Sequence, residues 1–313
     1  MAEATFPVRK EFGLFVKLLQ LEFSSGTRRV RRICELYDYM VLTDRSRYLN
    51  FGYWAADCES YDDACEAMVD LLGEAAELGT GDHVLDAGFG YGDQDFRWLE
   101  TTGVARIVGI NITPLQIREA RRQARLKGVE ERVEFLEMSA TDLAFEPGTF
   151  DKVISLESPI QFEPREAFLE HAYRVLRPGG RFAAVEILPL DAADGGSPSG
   201  ARRKWKSDRW FGATPIENWV PAQEYCQTLQ RLGFTDVKAR SIRDDVYEPW
   251  SRYMRSRIDD PAFRARLSRL VYRPFRKGLL DDVGGRVAGQ SMAQTDYIVV
   301  SAMKPPASGD GVN

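Results

Sequence analysis

Val84-Leu-Asp86-Ala-Gly88-Phe-Gly90-Tyr-Gly92 sets the reading of this 313-residue chain. His83-Val-Leu-Asp86 has the short apolar pattern of a buried strand. Glycines at alternate positions then let the backbone turn tightly and approach a ligand with no Cβ in the way. A helix is expected at 94–100. Such a turn after the first strand of a parallel sheet lies at the sheet's carboxyl edge, where open α/β folds bind ligands. The dinucleotide fingerprint GxGxxG needs a glycine at position 93, which is Asp93.

Downstream, strands are expected at 105–110, 132–136, 152–156 and 181–188, with helices between them. Thr113 is read as the cap of a helix with Pro114 at its first position and Gly128 just past its end. The next helix should stop before Arg177-Pro-Gly-Gly180, read as a turn. This alternation implies right-handed crossovers and a parallel sheet covered on both faces. Residues 191–215, rich in Gly, Ser, Pro and charge, read as a long loop. A helix at 221–232, a strand at 236–242, a helical Arg-rich stretch at 245–293 and a strand at 297–302 complete the pattern.

Upstream, residues 8–47 carry helical periodicity. Phe12, Phe15, Val16, Leu19 and Phe23 recur three or four apart, as do Val30, Ile33, Cys34, Tyr37 and Val41, which reads as a core-facing lid. Ser60 and Asp63 form a capping-box signal for a helix reaching about residue 78. The domain plan is a helical lid (1–60), an α/β core (61–242), a helical insertion capping the substrate (243–293), a final core strand (294–303) and a disordered tail (304–313).

Composition limits the function classes. Lys and Arg total 42 against 47 for Asp and Glu, a net charge of −5, which argues against a protein living on phosphate backbones. No run of about 18 uninterrupted apolar residues suggests a membrane span. Met1–Phe15 lacks the pattern of a secretory signal. Cys34, Cys58, Cys65 and Cys226 form no CxxC pair, so neither a zinc knuckle nor a disulfide frame is expected. A cytoplasmic protein without a metal site is the expectation, and a homodimer stays open.

Asp-x-Gly-x-Gly-x-Gly is the usual loop for S-adenosyl-L-methionine, whose ammonium group suits a nearby carboxylate such as Asp86. The chain resembles the class I S-adenosylmethionine-dependent small-molecule methyltransferases, the group around erythromycin O-methyltransferase and the tocopherol methyltransferases. Four further segments carry the likeness: Leu49-Asn-Phe-Gly-Tyr-Trp54, Gly109-Ile-Asn-Ile-Thr-Pro114, Phe150-Asp-Lys-Val153 and Arg174-Val-Leu-Arg-Pro-Gly-Gly180. Tyr225, Gly233-Phe234 and Asp244-Asp-Val-Tyr247 add a weaker match. It covers about residues 30–300 and is strongest over 48–188.

The resemblance implies a Rossmann-like, seven-stranded, mostly parallel α/β sheet with its last strand antiparallel. It implies methyl transfer to a small, largely apolar natural-product or lipid-like acceptor, and neither a nucleic-acid nor a membrane-spanning partner. Asp86, Gly88, Gly90, Gly92, Gln94, Asn111, Ile112, Gln116, Ser139, Ala140, Thr141, Glu157, Tyr48 and Tyr53 are the implied cofactor residues. Phe51, Trp54, Phe162, Trp205, Trp219 and Tyr247 are the implied acceptor residues.

Three places depart from the family pattern. Asn111 stands where an acidic residue commonly binds the ribose hydroxyls. Met138-Ser139-Ala140 replaces Gly-Asp-Ala, leaving Ser139 and Asp142 as alternatives for the adenine contact. In Glu157-Ser-Pro-Ile-Gln161-Phe162, Gln161 replaces the frequent histidine base. The two histidines of the chain, His83 before the first strand and His171 in a helix, are both read as structural.

Glu157 and Gln161 are thus the catalytic candidates. Either Glu157 takes a proton, or the acceptor is already anionic and Gln161 only donates to it, or the scaffold catalyses a cyclisation. The leading expectation is O-methylation of an easily ionised oxygen, driven by proximity rather than by a histidine base. C-methylation of a prenyl diphosphate, clamped by Arg202-Arg-Lys-Trp-Lys206, and cofactor binding without catalysis are the alternatives.

Overall fold

The computed structural model describes residues 8–54, 58–190, 215–280, 286–287, 290–292 and 295–307. Seven strands form one sheet in the order β3-β2-β1-β4-β5-β9-β6. They are β1 (His83–Ala87), β2 (Arg106–Asn111), β3 (Val133–Glu137), β4 (Phe150–Leu156), β5 (Leu176–Pro189), β6 (Thr235–Ser241) and β9 (Thr295–Met303). The first five run parallel, and β9 inserts antiparallel between β5 and β6. A two-residue hairpin, β7 (Arg286–Val287) with β8 (Gln290–Ser291), interrupts the stretch expected to be wholly helical.

Central strands buried on both faces need apolar residues at every position, and alternate residues divide between two cores. Val84, Ile107, Val133, Ile154 and Val185 face one core. Leu85, Val108, Val153 and Ala184 face the other. Truncating a fully buried aromatic such as Phe182 or Phe168 in such a core costs about 3–5 kcal/mol.

The helices linking β1 to β5 are α4 (Asp93–Thr101), α5 (Pro114–Lys127) and α6 (Arg165–Val175). Pro114 opens α5, and Gly128 ends it with φ 67°. Thr113 occupies the cap position, but its side chain makes no capping bond; its amide instead donates to Asn111 Oδ1 at 3.0 Å. Arg177-Pro-Gly-Gly180 is not a separate turn. It is the bulge inside β5, between the pairs Phe150–Leu176 and Lys152–Arg181. The strand resumes because Gly179, at φ 78°, turns the chain back into register.

Two helical additions flank the sheet. The first comprises α1 (Val8–Glu22), α2 (Gly26–Leu36) and α3 (Tyr61–Ala75), with Ser60 and Asp63 closing a complete capping box on α3. The second, after α7 (Ala222–Arg231) and β6, comprises α8 (Arg243–Arg257), the single turn α9 (Pro261–Arg264) and α10 (Arg269–Leu280). They meet: Leu14 of α1 packs with Val271 of α10, and Met40 bridges to Leu267. On α2, Arg29 and Arg32 donate to the carbonyls of Leu21 and Gln20, covering the last turn of α1.

The first apolar stripe does not face the core. Phe12, Phe15, Leu19 and Phe23 are exposed, Phe23 to 89%, while Leu14 is buried and Leu18 and Leu21 pack beside it. Apolar residues lie on more than one side of α1, and the contacts with α2 and α10 select which side turns inward. At the other terminus the tail begins docked: Lys304 Nζ donates to the carbonyls of Tyr173 (2.8 Å) and Leu176 (2.7 Å). The expected loop at 191–215 lies, but for Pro215, outside the described residues. So do Trp205, the Arg202–Lys206 run and the tail beyond 307.

Candidate functional site

The carboxyl ends of β1, β2 and β4, the turn after β3 and helix α2 enclose a deep cavity, about 1150 Å³ with its open mouth included. It is lined at one end by Gly88, Gly90, Gln94, Asn111, Ile112, Gln116, Ser139, Ala140 and Thr141. At the other end stand Thr27, Cys34, Tyr37, Glu157, Gln161 and Glu163, with Tyr48 and Phe162 on the wall between.

The glycine loop is shaped by contacts as well as by dihedral freedom. Gly88 has φ 91°, and a Cβ there would sit 2.3 Å from Ser158 Oγ. Ser158 Oγ donates to the Gly88 carbonyl at 3.0 Å, so the turn after β4 and the turn after β1 are locked together. Gly92, at φ 87°, caps α4 where a Cβ would meet Phe135 at 2.9 Å. It shapes the loop from behind and does not line the cavity.

Asp86 is also placed behind the wall. It is fully buried, and Gln94 Nε2 donates to its Oδ2 at 2.6 Å while Oδ1 has no partner. Burial pushes the Asp86 carboxyl up to about 7. The group that reaches the cavity from this pair is Gln94. On the opposite wall Asn111 donates to Gln116 Oε1 at 3.0 Å, and its Oδ1 already accepts the Thr113 amide. A carbonyl oxygen has a second lone pair, so Asn111 retains one site for a hydroxyl donor. Of the two candidates after β3, Ser139 lines the cavity, held by Thr141 at 2.9 Å, whereas Asp142 is exposed and off it.

This donor set fits S-adenosylmethionine. A glycine-walled channel runs between Gln94, backed by the buried Asp86 carboxyl, and the amide pair Asn111–Gln116. No pyrophosphate cradle is needed.

Glu157, just past β4, is held in a left-handed conformation at φ 55°. Such strain in a non-glycine residue persists only where the surroundings enforce it. Two bonds do so here. The Phe51 amide donates to Glu157 Oε1 at 3.1 Å, and the Tyr297 hydroxyl donates to the same oxygen at very short range. Burial pushes Glu157 up to about 7, while these two donors oppose the rise. Both act on Oε1, which leaves Oε2 to the cavity.

Gln161 lies in the one-turn helix Pro159–Gln161. Cys34 Sγ donates to its Oε1 at 3.7 Å, and Tyr37 lines the same end of the cavity. Burial raises the Tyr37 phenol and pushes the Cys34 thiol up to about 11, so both stay neutral. Buried Asn218 holds this turn, donating to the Ile160 (2.9 Å) and Phe162 (2.6 Å) carbonyls. Among the described residues Arg47 is the cation lining the cavity, and it is engaged by Asp38 at 2.5 Å and stacked 3.7 Å over Tyr91.

Several expected acceptor residues, and the expected cofactor residue Tyr53, stand elsewhere. Phe51, Tyr53, Trp54, Trp219 and Tyr247 do not line the cavity. The Phe51 ring packs against Tyr247, Trp250 and Tyr297, and Trp54 stacks on Tyr61. Tyr247 bonds Thr295 Oγ1 at 2.8 Å, and Trp219 is buried in the same core. These aromatics brace the wall from outside. They act on the site through the Phe51 amide and Tyr297 hydroxyl, which grip Glu157.

Sequence reasoning missed Tyr297, Tyr37, Cys34, Thr27, Arg47 and Glu163. Helical spacing had marked Cys34 and Tyr37 only as lid residues, and Tyr297 sits in a strand 140 residues from its partner. Neither histidine lines the cavity. His83 stacks on Phe150 at the far end of β1, and His171 meets Arg174 on α6. Among the described residues, no group of three or more His, Cys, Asp or Glu could hold a metal ion, and no helix is long and apolar enough to cross a membrane.

A family model described as a methyltransferase domain matches residues 84–180. Erythromycin 3''-O-methyltransferase of Saccharopolyspora erythraea is 42% identical over 281 residues, covering 89% of this chain and 91% of that protein. Two solved structures share the fold at low identity. A geranyl diphosphate methyltransferase in complex with GPP and sinefungin superposes with TM-score 0.66 at 17% identity, over 87% of this chain and 98% of its own. The [4+2]-cyclase SpnF does so with TM-score 0.63 at 19% identity, over 88% and 96%.

Proposed function

The chain belongs to the class I S-adenosylmethionine-dependent small-molecule methyltransferases, and on that premise we propose that its acceptor is a neutral hydroxyl on a bulky, largely apolar natural product. S-adenosylmethionine, when bound, supplies a methyl group on a sulfonium, a leaving group already activated. What the protein must add is alignment and a destination for the hydroxyl proton.

The observation that carries this reading is the charge at the acceptor end. Two carboxylates line it, Glu157 and Glu163, and the cavity's cation Arg47 is already engaged by Asp38. An acceptor carboxylate or diphosphate would meet like charge there, whereas a neutral hydroxyl meets a base. Glu157, with Oε2 toward the cavity and its ionisation near 7, takes the proton; a positioned base of this kind contributes roughly 10²–10⁴-fold. Gln161, steadied by Cys34 and the clamp from Asn218, orients the acceptor oxygen. Gln94, Asn111, Gln116 and Ser139 hold the cofactor, with the Gly88–Gly90 backbone beneath it.

The similar protein from Saccharopolyspora is named for methylation of an erythromycin oxygen, which supports a glycosylated macrocycle as the first acceptor to try. The test compares release of S-adenosylhomocysteine with a neutral macrolide glycoside, an aromatic carboxylic acid and geranyl diphosphate, followed by mass and NMR analysis of products. O-methylation of the neutral acceptor is expected. Turnover of the diphosphate or the acid alone would sink the proposal.

A further inference from the structure

At its amino-acid end S-adenosylmethionine carries an ammonium and a carboxylate on one carbon. The carboxylate needs a cation if it leaves water, because a buried unpaired charge is costly. Among the described residues one cation lines the cavity, Arg47, against the three carboxylates Asp93, Glu157 and Glu163. The Arg47 guanidinium lies 3.7 Å over the Tyr91 ring, and its main-chain amide donates to Asp93 Oδ1 at 3.3 Å. Tyr91 and Asp93 flank Gly92, just before Gln94 in the chain, so Arg47 stands over the glycine-walled end.

The second observation is how firmly Arg47 is held. Asp38, in the one-turn helix Tyr37–Tyr39, accepts from Nη2 at 2.5 Å. Asp38 does not line the cavity, and its bond uses one of the five N–H groups of a fork shaped to grip carboxylates. The main chain is fixed as well. Asp62 of α3, 1% exposed, accepts the amides of Asp44 (2.7 Å), Arg45 (3.2 Å) and Ser46 (2.9 Å), and the Ser46 hydroxyl at 2.6 Å. Three successive amides on one buried carboxylate set the path of the chain just before Arg47 and Tyr48, which both line the cavity. Ordering a loose arginine on binding costs rotamer entropy, and one already fixed by its neighbours escapes that loss.

We propose that Arg47 binds the carboxylate at the cofactor's amino-acid end, and that Asp62 is the positioning residue that presents it. The inference rests on the reading of the glycine-walled end as the cofactor site. It deepens that reading, which gave the carboxylate no partner. It also gives the cavity's cation a use: Arg47 serves the methyl donor, so an anionic acceptor finds no cation left for it.

Calorimetry with two ligands tests this: S-adenosylhomocysteine, which keeps the amino-acid end, and its decarboxylated analogue, which keeps the ammonium alone. The wild type should prefer S-adenosylhomocysteine by about tenfold or more, as for a charge-assisted bond. Arg47→Met should erase that preference, weakening S-adenosylhomocysteine by about tenfold or more and the analogue by less than about threefold. Arg47→Lys keeps the charge without the fork and should recover part of it. Asp62→Asn sets an amide nitrogen against main-chain donors, so the preference should shrink severalfold. In the Arg47→Met background the same change should have no further effect on the preference. Thermal unfolding checks that each variant is folded.

A wild type that binds both ligands equally, or an Arg47→Met variant that keeps the wild-type preference, overturns the assignment of Arg47. An Asp62→Asn variant that weakens both ligands alike overturns the positioning role of Asp62. A folded wild type that ignores both ligands sinks the cofactor-site reading itself, an outcome distinct from equal binding of the two.

Discussion

At Gly88 the cavity wall is main chain, pressed so closely on Ser158 that a single added methyl would collide with it at 2.3 Å. Across the mouth, at Tyr37 and Cys34, the wall is side chain, contributed by a helix that reaches the site only because α1 and α10 hold it there. The first region sits on five parallel strands with central residues buried on both faces. The second rests on helix contacts and on arginines covering carbonyls. A rigid backbone cradle suits a cofactor that is the same in every turnover. A side-chain wall can be changed residue by residue, and it stands where acceptors differ.

Substitutions can break that contrast, beginning where the largest effect is expected. Gly88→Val adds branched carbon at positive φ and against Ser158. Affinity for S-adenosylhomocysteine should fall at least about a hundredfold, roughly 2.7 kcal/mol, by calorimetry. Binding retained within threefold would mean the cradle is softer than its geometry.

On the acceptor side, Glu157→Gln should leave cofactor affinity nearly unchanged while kcat falls roughly 10²–10⁴-fold. The pH profile sharpens this test. Glu157 must be ionised to accept a proton and ionises near 7, so wild-type kcat should climb as pH rises through about 7 and level off above it. The Gln variant should lose that inflection.

Gln161→Ala is expected to cost about tenfold in kcat, as for loss of an orienting contact with the base still present. Complete loss would give Gln161 a more direct part. Tyr297→Phe deletes one of the two donors that hold Glu157 down, so the inflection should move upward, by about one pH unit per 1.4 kcal/mol of lost bonding. The smallest effect is expected farthest from both walls. Phe23→Ser, at an exposed position, should change stability by less than about 0.5 kcal/mol in urea unfolding.

The strand-and-helix frame was legible because it is written in local patterns. The glycine spacing, the Pro114 start and Gly128 stop of α5, and the capping box of Ser60 with Asp63 all act within a few residues. The same locality explains the errors. The stripe Phe12–Phe15–Leu19–Phe23 has sound helical spacing, yet spacing cannot say which side of a helix a distant partner will cover. The aromatics Phe51, Tyr53 and Trp54 could be read as pocket or as staple, and in the structure they pack outside the cavity, with the Phe51 amide on Glu157. Arg177–Gly180 has turn chemistry, but pairing with β4 on both sides made it a bulge. Asp86 was expected as a contact, and in the structure it lies behind Gln94, which donates to it.

From its own order of residues the chain determined the parallel sheet, the glycine turn and the kind of ligand that turn accepts, since these follow from backbone freedom and short-range periodicity. Only tertiary packing decided which groups share the chamber. Tyr297 grips Glu157, Cys34 reaches Gln161, and Asn218 clamps the turn that carries it. Such pairs arise when distant segments are buried together, because desolvation, rather than sequence distance, forces each polar group to find its partner.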